Sequence, residues 1–203
     1  MARLPSTLDD AIFDLRLARS APDLWPMLDT LYGHLEDYAD FRAALLKVLK
    51  KGWKDRPADL KTLDLKRDLE PDWFQRPDMA GYVFYIDRFA GTLRGILDKL
   101  DYLEDLGITY VHLMPCLKPR TGDSDGGYSV MDYRAVNPAY GTMDDLERLC
   151  ADLRSRGMSL GIDLVLNPTA AEHPWALAAA AGDPDAAAMY RIYPDRTEPD
   201  RWE

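Results

Sequence analysis

Two short stretches hold the residues whose types and spacing could do chemistry. The first is SDGGY, residues 124–128, a carboxylate (Asp125) and a phenol (Tyr128) on either side of a glycine pair. A carboxylate accepts hydrogen bonds from hydroxyl groups or pairs with an arginine, and a tyrosine offers an aromatic face with a polar tip. The second is GIDLVLNPTAAEHPWA, residues 161–176, an apolar run that carries Asp163 and breaks at Asn167-Pro168. An acid inside an apolar strand needs partners. Residues two apart share a strand face, so Asp163, Val165 and Asn167 are expected to point the same way. From the residues alone, the first stretch also reads as a polar turn, with glycines taking positive φ, and the second as a strand-end acid in an ordinary network.

Other chemistries find less support. The histidines, His34, His112 and His173, are too scattered for a metal site, and no cofactor is expected. Cys116 and Cys150 lack metal-type spacing and read as free, buried thiols of a reducing, cytoplasmic compartment. A formal net charge of −10 argues against nucleic acid and anionic membrane as partners, both of which need a basic face, and fits a neutral small molecule. No dinucleotide fingerprint, phosphate loop or nucleophile elbow is present. The start, MARLPSTLDD, has no apolar segment of the signal-peptide kind, and no run reaches the length of a membrane span.

The elements that must position these residues fall into two halves. Residues 1–80 read as an all-α domain. One helix is expected in DLWPMLDTLYGHLEDYADF, with Leu24, Met27, Leu28, Leu31, Leu35 and Tyr38 on one face, and a second in FRAALLKVLKKGW, ended by Gly52. His34 and the aromatic residues of this half read as core packing. After the Pro- and Gly-interrupted DLEPDWFQRPDMAGY the pattern changes. YVFYID is a strand, TLRGILDKLDYLEDLG a helix closed by Gly107, and ITYVHLMP a second strand. A long loop, CLKPRTGDSDGGYSVMDYRAVNPAYG, follows. TMDDLERLCADLRSRG is a helix with Thr142 as N-cap, Asp145 at the third helical position and Gly157 at its end, and SLGIDLVL is a third strand. Strands alternating with helices, and apolar on both faces, predict a parallel sheet covered by helices. Such folds place their sites in loops at the carboxyl ends of strands, where both stretches lie.

Taken in this order, YVFYIDRFAGTLRGILDKLDYLEDLGITYVHLMP, SDGGYSVMDYRAVNPAYGTMDDL and GIDLVLNPT…EHPWA resemble the α-amylase family, glycoside hydrolase family 13, and most closely its amylosucrase branch, with sucrose hydrolases beside it. The helical first 80 residues resemble the N-terminal domain of amylosucrases. The resemblance implies a (β/α)8 barrel acting on α-glucosidic bonds with retention, sucrose or α-glucan as substrate, and no cofactor. The fold implied for residues 81–203 is the first three strands and two helices of that barrel, with the start of the insertion after the third strand. The resemblance places Asp125 and Tyr128 at the floor and wall of a glucosyl pocket, with Asp163 and Asn167 supporting it. It also marks a departure. The family pattern D-x-x-x-N-H-T carries a sugar-binding histidine where this chain has Pro168, which cannot donate from its backbone and pushes Asn167 toward extended geometry. His173 matches a separate EH pair of the family and reads as structural.

A whole barrel takes ~250 residues, against about 120 here after the helical domain. The expectation is therefore a truncated chain, with no catalytic residue of its own, since the nucleophile and acid/base of the family follow later strands. Such a chain is expected to be inactive alone, unless a second chain completes the barrel. Its helical half is expected to be the more stable, and its open sheet edges aggregation-prone. The alternative is a non-catalytic interaction or sugar-binding remnant built on the helical domain.

Overall fold

The computed structural model describes residues 7–202; the first six residues of the expected helical domain and Glu203 lie outside it. Two compact units divide between Gln75 and Arg76.

The first unit contains α1 (Leu8–Tyr32), α2 (Tyr38–Asp55) and α3 (Ala58–Leu69). Thr7 caps α1, its hydroxyl accepting from the Asp10 backbone N–H at 3.1 Å. The chain turns at residues 33–37, so the helix expected across that segment is two helices, and α2 runs through Gly52 instead of ending there. The expected apolar core is also not what this unit shows. Trp53 is the only buried apolar residue among its described residues, while Met27, Leu31, Leu35, Phe41 and Val48 are exposed, as is His34. Polar contacts gather at Trp53. Its indole N–H donates to the Asp9 carbonyl at 3.0 Å, the Arg16 guanidinium lies 4.9 Å from the ring and the Lys61 ammonium 5.2 Å. Buried Asp10 pairs with Lys50 at 2.9 Å.

The second unit is built on a three-stranded parallel sheet of β1 (Gly81–Phe84), β2 (Tyr110–Leu113) and β5 (Ser159–Ile162), with β2 in the middle. In register, Val83 lies beside His112, and His112 beside Gly161. The first expected strand ends early, at Phe84, and Ile86–Phe89 forms a short helix, α4. The expected first barrel helix breaks at Asp98-Lys99 into α5 (Leu93–Leu97) and α6 (Leu100–Asp105). The loop after β2 contains an antiparallel pair missed in the sequence, β3 (Leu117–Pro119) and β4 (Val130–Val136). The helix α7 (Met143–Ser155) starts with the expected reciprocal cap, Thr142 with Asp145. Beyond β5 come α8 (Pro174–Ala180) and α9 (Pro184–Ala187).

The core lies on one face of this sheet. Val111 and Leu113 of β2, Leu93 and Ile96 of α5, Leu103 of α6, and Leu149 and Leu153 of α7 are fully or almost fully buried together. Each such burial contributes about 1.5–3 kcal/mol. The opposite face carries Val83, Tyr110, His112 and Gly161, and Val83 is 58% exposed. The strands thus alternate between a covered and an open face, where the sequence suggested apolar cover on both. The helical half is expected to be the more stable, whereas nearly all the buried apolar side chains of the described residues belong to the second unit.

Candidate functional site

The candidate residues meet where the open face of the sheet reaches the carboxyl ends of its strands. Asp163 directly follows β5 and is half-buried, one residue past the strand, where the sequence placed it inside. Its two carboxylate oxygens face different partners. Oδ1 lies 2.8 Å from His112 Nε2, and Oδ2 accepts from the Tyr128 hydroxyl at 3.1 Å. These two contacts give the acid in the apolar run its partners.

Tyr128 reaches Asp163 because of the turn that precedes it. Asp125–Gly127 form a 3-10 turn with φ of 52° at Asp125, 65° at Gly126 and 98° at Gly127. A side chain at Gly127 would come within 3.1 Å of the Pro115 carbonyl, so the close passage of the loop over the end of β2 needs glycine there. The loop is then tied to the segment beyond β5, where the Ala170 N–H donates to the Val130 carbonyl at 2.9 Å and Val130 bridges Thr169. Partial burial, and after it the hydrogen bond to Asp163, pushes the Tyr128 phenol above the usual tyrosine range.

The four expected residues are not equally engaged. Tyr128 and Asp163 are joined. Asp125 is exposed, and its backbone N–H donates to Asp123 Oδ1 at 3.3 Å. Asn167 is exposed, and the bond to Pro168 is cis. Val165, between Asp163 and Asn167, accepts from the Tyr133 hydroxyl at 2.5 Å through its carbonyl. His173 is buried and caps α8, its Nδ1 accepting from the Trp175 N–H at 3.2 Å, with the Tyr133 and Trp175 rings edge-on at 5.6 and 5.1 Å. Its Nε2 therefore carries the ring proton at neutral charge, a structural arrangement.

The sequence reading missed His112 and the ion pair of Arg120 with Glu172 at 2.8 Å. His112 had a signal, since Tyr110, His112 and Met114 alternate with Val111 and Leu113, and only the latter pair is fully buried. Cys116 is buried and its thiol is pushed up to about 11 by that burial; Cys150 is half-buried, and both are free. No group of three or more His, Cys, Asp or Glu side chains suited to a metal occurs among the described residues. No helix of the described residues is long and apolar enough to cross a membrane.

The family model described as alpha amylase, catalytic domain, matches residues 58–203. An oligo-1,6-glucosidase of Parageobacillus thermoglucosidasius is 38% identical over 116 residues, 56% of this chain and 20% of that protein. A palatinase of Erwinia rhapontici is 44% identical over 86 residues, 42% of this chain and 15% of that protein. A solved isomaltulose synthase mutant of Erwinia rhapontici, in complex with sucrose, is 35% identical with a TM-score of 0.46, covering 50% of this chain and 19% of that one. The chain thus spans about a fifth or less of the length of these curated relatives.

Proposed function

The chain belongs to the alpha-amylase family, and on that premise we propose that it supplies the glucosyl-recognition end of an α-glucoside-active site, on the first three strands of a (β/α)8 barrel. The observation that carries this reading is the Tyr128–Asp163 hydrogen bond. It links two motifs 35 residues apart at the carboxyl ends of parallel strands, where barrels of this kind bind substrate. The pocket contains Tyr128, Asp163, Asp125 and Asn167. Tyr128 lays its ring on the apolar side of a pyranose, Asp125 accepts from sugar hydroxyls, and Asp163 holds the phenol in place. Asn167 supports the rim.

Retaining cleavage needs two carboxyl groups about 5–5.5 Å apart across the anomeric carbon. That pair is assigned to later strands of the family's barrel, so the part proposed for these 203 residues is recognition, and the chain by itself is expected to be inactive. The substrate class is an α-glucoside, with sucrose first and α-1,6-linked glucosides such as isomaltose next. The sucrose choice rests on the amylosucrase-like motifs and on the helices, since residues 1–57 precede the family match. The α-1,6 choice rests on the names of the matched relatives. The test is turnover of sucrose and isomaltose by the purified chain. Glucose release no higher than in a Tyr128→Ala, Asp125→Ala double variant is expected, and release well above that control would refute the assignment to recognition alone.

A second reading is favoured by Pro168, which stands where the family pattern has a sugar-binding histidine. It is a sugar-binding or interaction remnant built on the helical unit, whose apolar side chains on α1 and α2 are exposed. Sugar affinity that survives deletion of the Tyr128 and Asp125 side chains would favour it.

A further inference from the structure

We propose that His112 is a positioning residue of the sugar pocket, holding the Asp163 carboxylate in the one orientation that lets it receive the Tyr128 hydroxyl. The inference rests on the proposed pocket and adds to it a residue that lies outside both SDGGY and residues 161–176.

Three features carry it. First, His112 sits on β2, which is hydrogen-bonded to a neighbour on both sides, so its backbone is the most firmly held on the open face. Second, its register partner is Gly161, and Asp163 lies two residues further along on the same face. The imidazole reaches Asp163 on the diagonal, past a position with no side chain. A Cβ at Gly161 would meet the Tyr110 hydroxyl, so any larger residue there would displace that ring. Third, the donors are divided between the oxygens, one for His112 and the other for Tyr128.

The proton inventory fixes the roles. An ionised carboxylate only accepts, so wherever Asp163 is ionised the contact at Oδ1 is made by His112 with a proton on Nε2. Without that donor, Oδ1 loses its fixed contact. The carboxylate can then turn either oxygen toward solvent, and Tyr128 loses a defined acceptor. Asp163 is also close enough to Cys116 to act on its thiol, and Tyr85 and Asp125 act on the Tyr128 phenol, but the side-chain contacts to the Asp163 carboxylate are those of His112 and Tyr128.

The experiment uses the full chain with 13C-labelled tyrosine rings and compares the wild type with His112→Phe, His112→Gln and Asp163→Asn. His112→Phe keeps an aromatic ring without the donor, and His112→Gln returns an N–H near the Nε2 position. The first readout, taken without ligand, is the Tyr128 ring titration. The second is the affinity for methyl α-D-glucoside. Thermal melting and the amide spectrum verify folding of each variant. The Tyr128 titration is expected to move toward the ordinary tyrosine value in His112→Phe and in Asp163→Asn, and to return in His112→Gln. The glucoside Kd is expected to weaken about tenfold in His112→Phe, with no added loss when it is combined with Asp163→Asn. A folded His112→Phe variant with an unchanged Tyr128 titration overturns the inference, as does a His112→Gln variant that behaves like His112→Phe. Variant titrations that move as expected, together with a wild-type chain that binds no glucoside, uphold the role of His112 and overturn the proposed function instead.

Discussion

The sheet of the second unit is covered on one face and open on the other, and two truncations measure that difference. Leu149 lies on α7, fully buried against Val111, Leu153 and their neighbours. Leu149→Ala removes three carbon groups, ~2.4 kcal/mol at ~0.8 kcal/mol each. The cavity left behind brings the expected cost to about 3–4 kcal/mol. Val83 lies on β1 and is 58% exposed. Val83→Ala removes two groups that are less than half buried, so its burial loss is about 0.7 kcal/mol, with a strand-propensity cost of similar size. Leu149→Ala should therefore cost at least ~2 kcal/mol more than Val83→Ala. Because the chain has two units, a single unfolding curve does not isolate this quantity. Native-state hydrogen exchange of β2 and α7 peptides reads the second unit directly. Equal losses of protection in the two variants would refute the reasoning, since they would mean that the Val83 face is buried in solution.

Four further outcomes follow from the same structure. Protection from exchange should be greater in the second unit than in α1–α3, where Trp53 is the only buried apolar residue among those described; stronger protection in the helices would overturn that ordering. Thr142→Ala should destabilise α7 by about 1 kcal/mol, seen as faster exchange in its first turn; unchanged exchange there would deny the cap its role. Arg94, with help from the Thr142 backbone and hydroxyl, holds the Asp145 carboxyl below the usual carboxylate range. Its stabilising effect is thus complete above the unfolded carboxylate value and lost as pH falls through the depressed one, so Asp145→Asn should flatten the acid limb of a stability–pH curve. Burial pushes the Cys116 thiol to about 11 from 9.0, so its thiolate fraction near pH 8 falls about hundredfold and alkylation of the native chain should be correspondingly slow; rapid labelling of Cys116 in native protein would contradict its burial.

Much of the local structure was legible because its signals are local. Thr142 and Asp145 announce the start of α7, and the glycine pair at 126–127 announces the turn before Tyr128. The elements that were misjudged depend on contacts distant in sequence. β3 and β4 pair across a loop with two register shifts, which no periodicity reveals. The break between α5 and α6 lies in a segment whose apolar spacing runs on through it. On α1 and α2 helix was read, though not the turn between them at residues 33–37, and period alone does not say whether an apolar stripe is covered. At the site, Tyr128 and Asp163 stood out by type and place. Their bond, and the part of His112 in it, did not, because His112 and Asp163 are 51 residues apart and meet only once β2 and β5 are in register.

The central claim is that a glucosyl unit is recognised at Tyr128 and Asp163. Chemical-shift mapping of methyl α-D-glucoside on the isotope-labelled chain tests it most directly. Saturable shifts centred on residues 125–128, Asp163 and Asn167, abolished by Tyr128→Ala, are the predicted result. Saturable shifts confined to the separate groove lined by Leu164, Leu166 and Trp175, or no saturable shift at any concentration, would contradict it.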